Sequence, residues 1–597
     1  MFPLFPRIVL VATLLASPLW AGETLPPNMG SGLQNLVAWY LAHPPAAQPA
    51  ERRARLTEQT PVTKRTHVDA AVSSAVVDVR LDGSVPLENV RANLEELGLT
   101  VLAVHDAAGP GSILSAHLPL ASALEAAKSP GVFSIALVHC PYRRVGKTTS
   151  QGAAVMKSNE VNASGYDGGG ITVGAISDTF NVTTPSASDD VTAGDLPGPG
   201  NPNGHLQAVK VVTEGDASTG VDEGRAMLQI IHDVAPGAAL AFCTSGLTQS
   251  AFAANIRKLR TDANCDVIVD DIAFPAEPFF SDGIVAQAVN DVTHSTTLAG
   301  KKVLYYSAAG NDADFGFTDV FRPISDADAR GHRVRSNLKF GQVPTALTAG
   351  GFHNFAASGT PVLTQHVKTD VFAEIVLQWD DLFGPGKITT DYNLLVFDQH
   401  GNFLESLSGT DRNSSTGDAL EFTGLLPHGD GKKALYQLAI TRSSAGTQAA
   451  THLRYIVNTT GNYESDFMPR NGSTIFGHAA APGADAVAAY DYTTPTRPEL
   501  FTSFGPVAIY FDQNGQRLAT PQIRSQPTMA APDNVNTSFF PPGEDTDGDR
   551  FPELFRHQRR RASCGGRSRA VARCRGRAGQ PRRNTDADAF AKHRPRA

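Results

Sequence analysis

The chain is short of the residues that would declare its chemistry outright. It has five cysteines in 597 residues, and only Cys140, Cys243 and Cys265 precede residue 560, which excludes a scaffold stapled by many disulfides. No cysteine or histidine cluster has metal-ligand spacing, which excludes a zinc-organised fold. Past the first residues no stretch is long and apolar enough for a transmembrane helix. Charged residues make up 18% of the chain and the net charge is −8, so no overall basic excess points to nucleic acid. The tripeptide Gly-Thr-Ser is missing from the final hundred residues, and that absence weighs on the functional reading.

Length alone predicts three or four domains. Residues 1–21, MFPLFPRIVLVATLLASPLWA, combine one Arg, an apolar run from Ile8 to Ala16 and a small residue at Ala21. They read as a secretory signal, so the mature protein is expected to be secreted or extracytoplasmic, with no membrane association after cleavage. An oxidising compartment permits a bridge between Cys243 and Cys265, which flank a helical segment; a disulfide and a pair of buried thiols both stay open. Residues 22–70 are rich in Pro and Ala and read as a linker, with one helix-like piece near Leu33–Leu41. Residues 71–147 follow the order βαββαβ, the split βαβ pattern of a ferredoxin-like module.

The stretch around which the downstream residues are organised is Gly170–Phe180, GITVGAISDTF. Ile171, Val173, Ala175 and Ile176 predict a buried strand behind a triple glycine, and Asp178 sits where that strand ends. The carboxyl end of a buried parallel strand is the rim where α/β sheets build sites, although an aspartate there also caps turns. Residues 181–204 read as a surface loop. Next, GVDEGRAMLQIIHDVAPGAALAF predicts a helix opened by Glu223 and stopped by Pro236-Gly237, then a strand. DVIVDDIAF predicts a strand with a double Asp at its end, and KKVLYYSAAGND a strand leading to Asn311. An amide at that position can donate to an oxyanion or simply form a turn. Strand and helix alternation predicts a parallel sheet with helices on both faces over 148–358 and 463–555. Between them, 359–462 alternates at short spacing like an antiparallel β-sandwich.

Asp178, the Glu223 helix running into VAPGA, SAAGN with Asn311, FTSFGP and MAAPDNV, in that order, resemble the subtilisin-like serine proteases and their sedolisin relatives. The resemblance implies a subtilisin-like α/β domain preceded by a ferredoxin-like prodomain, and a serine endopeptidase acting on protein or peptide substrates. It implies a monomer with no required cofactor and a zymogen cleaved between Arg143 and Ser150. By position, Asp178 matches the orienting Asp and Asn311 the oxyanion donor. Glu223-Gly224 stands where subtilisins have His-Gly, which is similar to the sedolisin Glu base; the Asp that sedolisins carry one turn later is here Met227. Two neighbouring carboxylates would share a proton, so activity is expected to be greatest at acid pH. His205 and His232 are rival bases.

The family's nucleophile should come after MAAPDNV, near Gln558, yet the chain reads RHQRRRASCGG there. From Arg556 onward, 13 Arg and one Lys stand against two Asp, a local charge of +12. Writing Arg556 to Cys564 in GC-rich codons and dropping the first base gives Gly-Thr-Ser-Ala-Ala-Ala-Pro-His-Ala. The basic tail 556–597 is read as out-of-frame translation that leaves the chain inactive as written, with a nucleic-acid-binding arm and a disordered tail as the rival readings. The alternative is a secreted non-catalytic binding protein that uses the β-sandwich. Asp545, Asp547 and Asp549 have the spacing of a calcium loop without its remaining ligands, so calcium and a solvated acidic turn both stay open.

Overall fold

The computed structural model describes residues 25–43, 66–69, 72–138, 150–428, 432–443, 450–459, 463–465 and 472–539. The residues read as a signal, Cys140, the stretch up to residue 149 where cleavage is expected, Asp545, Asp547, Asp549, the position near Gln558 and the tail lie outside the described residues. No helix among the described residues is long and apolar enough to cross a membrane. No group of three or more His, Cys, Asp or Glu among them is placed to hold a metal ion.

The chain is a mixed α/β structure in which a seven-stranded parallel sheet flanked by helices is joined by antiparallel sheets. The first strands are β1 (Ser74–Leu81), β2 (Thr100–His105), β3 (Ile113–Pro119) and β4 (Val132–Leu137). They pair antiparallel in the order β2-β3-β1-β4. The helix Ser31–Ala42 places Leu33, Leu36 and Val37 in the same core as Val77, Val79 and Ile135. Its apolar residues recur at helical spacing, so the piece assigned to a linker in fact completes the hydrophobic cover of this sheet.

The parallel strands come next: β5 (Thr172–Ser177), β6 (Lys210–Thr213), β7 (Ala239–Thr244), β8 (Val267–Asp270) and β9 (Leu304–Ala308). Successive side chains enter opposite faces. Ala175 and Phe242 pack with Leu228 of the helix Glu223–Val234, whereas Ile176, Ala241 and Cys243 pack with Phe252, Ile256 and Leu259 of the helix Gln249–Thr261. Each such fully buried Leu, Ile or Phe contributes roughly 1.5–3 kcal/mol. Cys243 and Cys265 are both free and buried, so the bridge is not formed; burial pushes the two thiols up to about 11 and about 12. The segment read as a surface loop contains a helix, Ala187–Ala193, started by a Ser186/Asp189 capping box.

The antiparallel region begins earlier than residue 359. It comprises β10 (Gly316–Val320), β11 (Pro323–Ile324), β12 (Phe352–His353), β13 (Gln365–Thr369), β14 (Ala373–Trp379), β15 (Tyr392–Asp398), β16 (Leu420–Leu425), β17 (Ala434–Arg442), β18 (His452–Thr459) and β19 (Tyr463–Ser465). β10 starts it because Gly316 to Val320 pair in register with Ile456 to His452 of β18. The two sheets, β10-β18-β14-β16 and β11-β12-β17-β13-β19 with β15 beside β17, share a core that includes Trp379, Tyr392 and Tyr455. The chain then returns through β20 (Ala484–Asp491), the hairpin β21 (Val507–Phe511) and β22 (Arg517–Arg524), and β23 (Met529–Asp533). The parallel sheet runs β23-β20-β9-β8-β5-β7-β6.

Candidate active site

Parallel register places the ends of β5, β8 and β9 side by side. Ile176 pairs with Asp270, and Asp270 with Ser307, so Asp178, Asp271 and Asn311 all come after their strands on the same carboxyl rim.

Asp178 receives the start of the Glu223 helix. One carboxylate oxygen accepts the N–H of Thr179 at 2.6 Å and of Glu223 at 2.8 Å, and the other accepts the N–H of Val221 at 2.6 Å. A helix N-terminus presents unpaired N–H groups and partial positive charge, which suits a carboxylate. Asp222, in a left-handed conformation (φ 61°), turns the chain into the helix. Burial pushes its carboxyl up, but hydrogen bonds from Val182 and Thr183 outweigh that and hold it below the usual range. Arg225, fully buried, bonds Asp222 at 2.9 Å, also pairs with Asp190, and lies 3.8 Å from the Phe539 ring centre. Gly224 is required because a Cβ there would stand 2.2 Å from the Phe242 ring.

The Glu223 side chain is fully buried and is among the groups that act on the Asp271 carboxyl. Ser177 Oγ also donates to Asp271, at 3.2 Å. Burial pushes the Asp271 carboxyl up, and the charges of Asp178 and Asp270 push it further. Asp271 was missed as a site residue although the doubled Asp at the end of an apolar strand signalled it.

Asn311 is half-buried in a loop held from several sides. Ser503 N–H donates to Gly310 O at 2.7 Å, Ser503 Oγ accepts the Asp312 N–H at 3.0 Å, and Asn458 of β18 donates to Asp312 at 3.2 Å. Thus the FTSF stretch and the antiparallel region both fix this loop. His205 and His232 pair edge-to-face with each other, ring centres 5.0 Å apart. His232 is nine residues beyond Glu223, about 13 Å along the helix axis, so this pair is remote from the rim.

The other face of β8 carries a second cluster. His478, in the turn Gly477–Ala480, lies 2.8 Å from Glu277 through Nδ1 and 3.1 Å from Asp270 through Nε2. Ser307 Oγ donates to Asp270 at 3.0 Å. Burial pushes the imidazole down, but Glu277 and Asp270 outweigh it and raise it to about 10. His478 is therefore a cation at neutral pH and an unsuitable base.

Farther along the same helix, Gln229 exchanges hydrogen bonds with Ser538 at 2.8 and 2.9 Å, and Ser538 donates to Asp190 at 2.8 Å. A separate cavity of about 450 Å³ lies between the N-terminal sheet and the antiparallel region, lined by Asp78, Arg80, Asp418 and Glu421 among others and by none of Asp178, Glu223 or Asn311.

No family model matches the chain. No curated protein matches it in sequence. Among solved structures, it is similar to fervidolysin from Fervidobacterium pennivorans, a keratinolytic enzyme related to subtilisin, at 11% identity and a TM-score of 0.24. The match covers 40% of this chain and 40% of that one.

Proposed function

We propose that this chain derives from a secreted serine endopeptidase of the subtilisin/sedolisin type, with Glu223 as base, Asp178 as the carboxylate that seats the base helix and Asn311 as oxyanion donor. The four-stranded N-terminal sheet, β1–β4, is read as its prodomain. One observation carries the reading: Asp178 accepts the backbone N–H of Glu223 at 2.8 Å on the rim that also bears Asn311. In the reaction the Ser O–H breaks as its proton passes to Glu223, the oxygen bonds the peptide carbonyl carbon, and the carbonyl electrons move to the oxygen facing Asn311. The proton then goes to the leaving nitrogen as the C–N bond breaks.

The nucleophile belongs to a Gly-Thr-Ser that the present reading frame lacks. A gene restored in frame at the Phe555 codon is expected to give protein labelled covalently by a serine-directed phosphonate, while the chain as written stays unlabelled. Without a serine, only about 10³-fold acceleration over water is expected to survive. Absence of labelling in the restored chain overturns the reading. The cavity of about 450 Å³ beside the antiparallel region supports a second reading, a binding protein, in that case.

A further inference from the structure

Where the antiparallel region meets the parallel-sheet part of the chain, an arginine is buried without a counter-charge. Arg454 of β18 is 2% exposed, and its Nε and Nη1 have no hydrogen-bond partner. Strand alternation puts it on the face of Ile456, which packs with Phe279, Phe280 and Phe476. Its guanidinium carbon lies 5.1 Å from the Phe280 ring centre. A ring face attracts a cation but leaves the in-plane N–H groups unbonded. Burial lowers the arginine only to about 10, so it is a cation at neutral pH.

The acids of this neighbourhood are already engaged. In register beside Arg454 on β10 stands Thr318, whose Oγ1 is likewise buried with no partner. On the other side, Gln378 of β14 donates to Glu277 O at 2.9 Å and accepts the N–H of Phe279 at 2.8 Å, so both ends of its amide are used. The Asp380 carboxylate that follows β14 lies 2.9 Å from Nδ1 of His452 and is ion-paired with Arg517 of β22. Glu277 is held by His478 at 2.8 Å and Asp282 by Arg524 at 2.6 Å. Tyr510 of β21 meets Phe280 edge-on; burial pushes its phenol up, so it carries no charge at neutral pH.

A buried charge is costly unless it is paired. Water in that place would bond the N–H groups but bring no counter-charge. We propose that Arg454 and Thr318 form the binding site of a small monovalent inorganic anion of the chloride class, held by the guanidinium and the threonine hydroxyl where the antiparallel region joins the parallel-sheet part. An arginine side chain only donates hydrogen bonds, which fits an anion and rejects a metal cation. At 2% exposure its partner is the size of an ion rather than of a substrate chain. The site makes no use of the peptidase reading: about 14 Å of strand separates Arg454 from Asn458, which bonds the loop of Asn311. The bound ion steadies the junction and takes no part in the reaction.

The test unfolds the full chain as written in urea at constant ionic strength, with sodium chloride replacing sodium gluconate. The apparent unfolding constant is expected to fall with chloride, about 100-fold once chloride reaches about 100 times its dissociation constant. Arg454→Met, which keeps the bulk of the stem, is expected to remove this dependence, and Thr318→Val to weaken it. A chloride-independent midpoint overturns the proposal, as does an undiminished dependence in Arg454→Met. Bromide soaked into crystals of the unaltered chain reads the site without any variant. An anomalous peak within hydrogen-bond reach of the Arg454 guanidinium is expected, and its absence overturns the proposal even if Arg454→Met fails to fold. A peak there without chloride dependence marks an adventitious ion only and overturns it as well.

Discussion

Asp270 and Asp271 are neighbours in sequence, identical in chemistry and both buried, yet they live in opposite electrostatic settings. Strand alternation sends Asp270 to the face of the helices Gln249–Thr261 and Ile284–His294, where His478 and Glu277 close an ion cluster around it. Asp271 goes to the face of the Glu223 helix, where its neighbours are Glu223 and Asp178. The back cluster places one cation, His478, between two carboxylates. In the front cluster burial, with the charges of Asp178 and Asp270 beside it, raises the Asp271 carboxyl. One step along a strand separates the two settings.

The largest effect should come from removing the cation. His478→Leu leaves Asp270 and Glu277 buried without their partner, and a loss of about 3–5 kcal/mol is expected in denaturant unfolding, as for other broken buried pairs. A loss below about 1 kcal/mol would mean that the back cluster is not ionic.

The pH dependence of stability separates the clusters. His478 is raised to about 10 in the folded chain, above its ordinary 6.5, so its contribution is fully present below about pH 6.5 and is lost as pH rises through about 10. Asp271 is raised from 3.8 to about 6, so the folded chain keeps a proton that the unfolded chain releases between those values. Its contribution therefore falls as pH rises across that window. Unfolding midpoints measured from pH 4 to 10 should lose the acid-side slope in Asp271→Asn and the alkaline-side slope in His478→Leu; unchanged slopes would erase the contrast. The smallest effect is expected from Ser307→Ala, which deletes one hydrogen bond to Asp270 and should cost about 1 kcal/mol by the same measurement.

Legibility depended on the range of the interactions. The apolar run ending at Asp178, the helix opened by Glu223 and the strand leading to Asn311 are local patterns, and all three elements form within a few residues of their predicted limits. The helix Ser31–Ala42 was visible as a helix but not as part of a core, because its partners Val77 and Ile135 lie far along the chain. Cys243 and Cys265 were correctly placed in apolar surroundings, yet whether they pair depends on distance and direction, which spacing does not encode. The antiparallel region was recognised by alternation, but its start at Gly316 depended on pairing with β18, a strand more than a hundred residues later.

By itself the sequence determined the alternating α/β pattern, the rim on which Asp178 and Asn311 fall, and the acid at the head of the Glu223 helix, because period and breaker residues act over a few positions. Only the tertiary structure decided which carboxylate meets which. Asp270 and Asp271 read alike as letters, and their fates diverge because His478 and Glu277 from distant segments converge on one face of the strand while Glu223 is carried to the other.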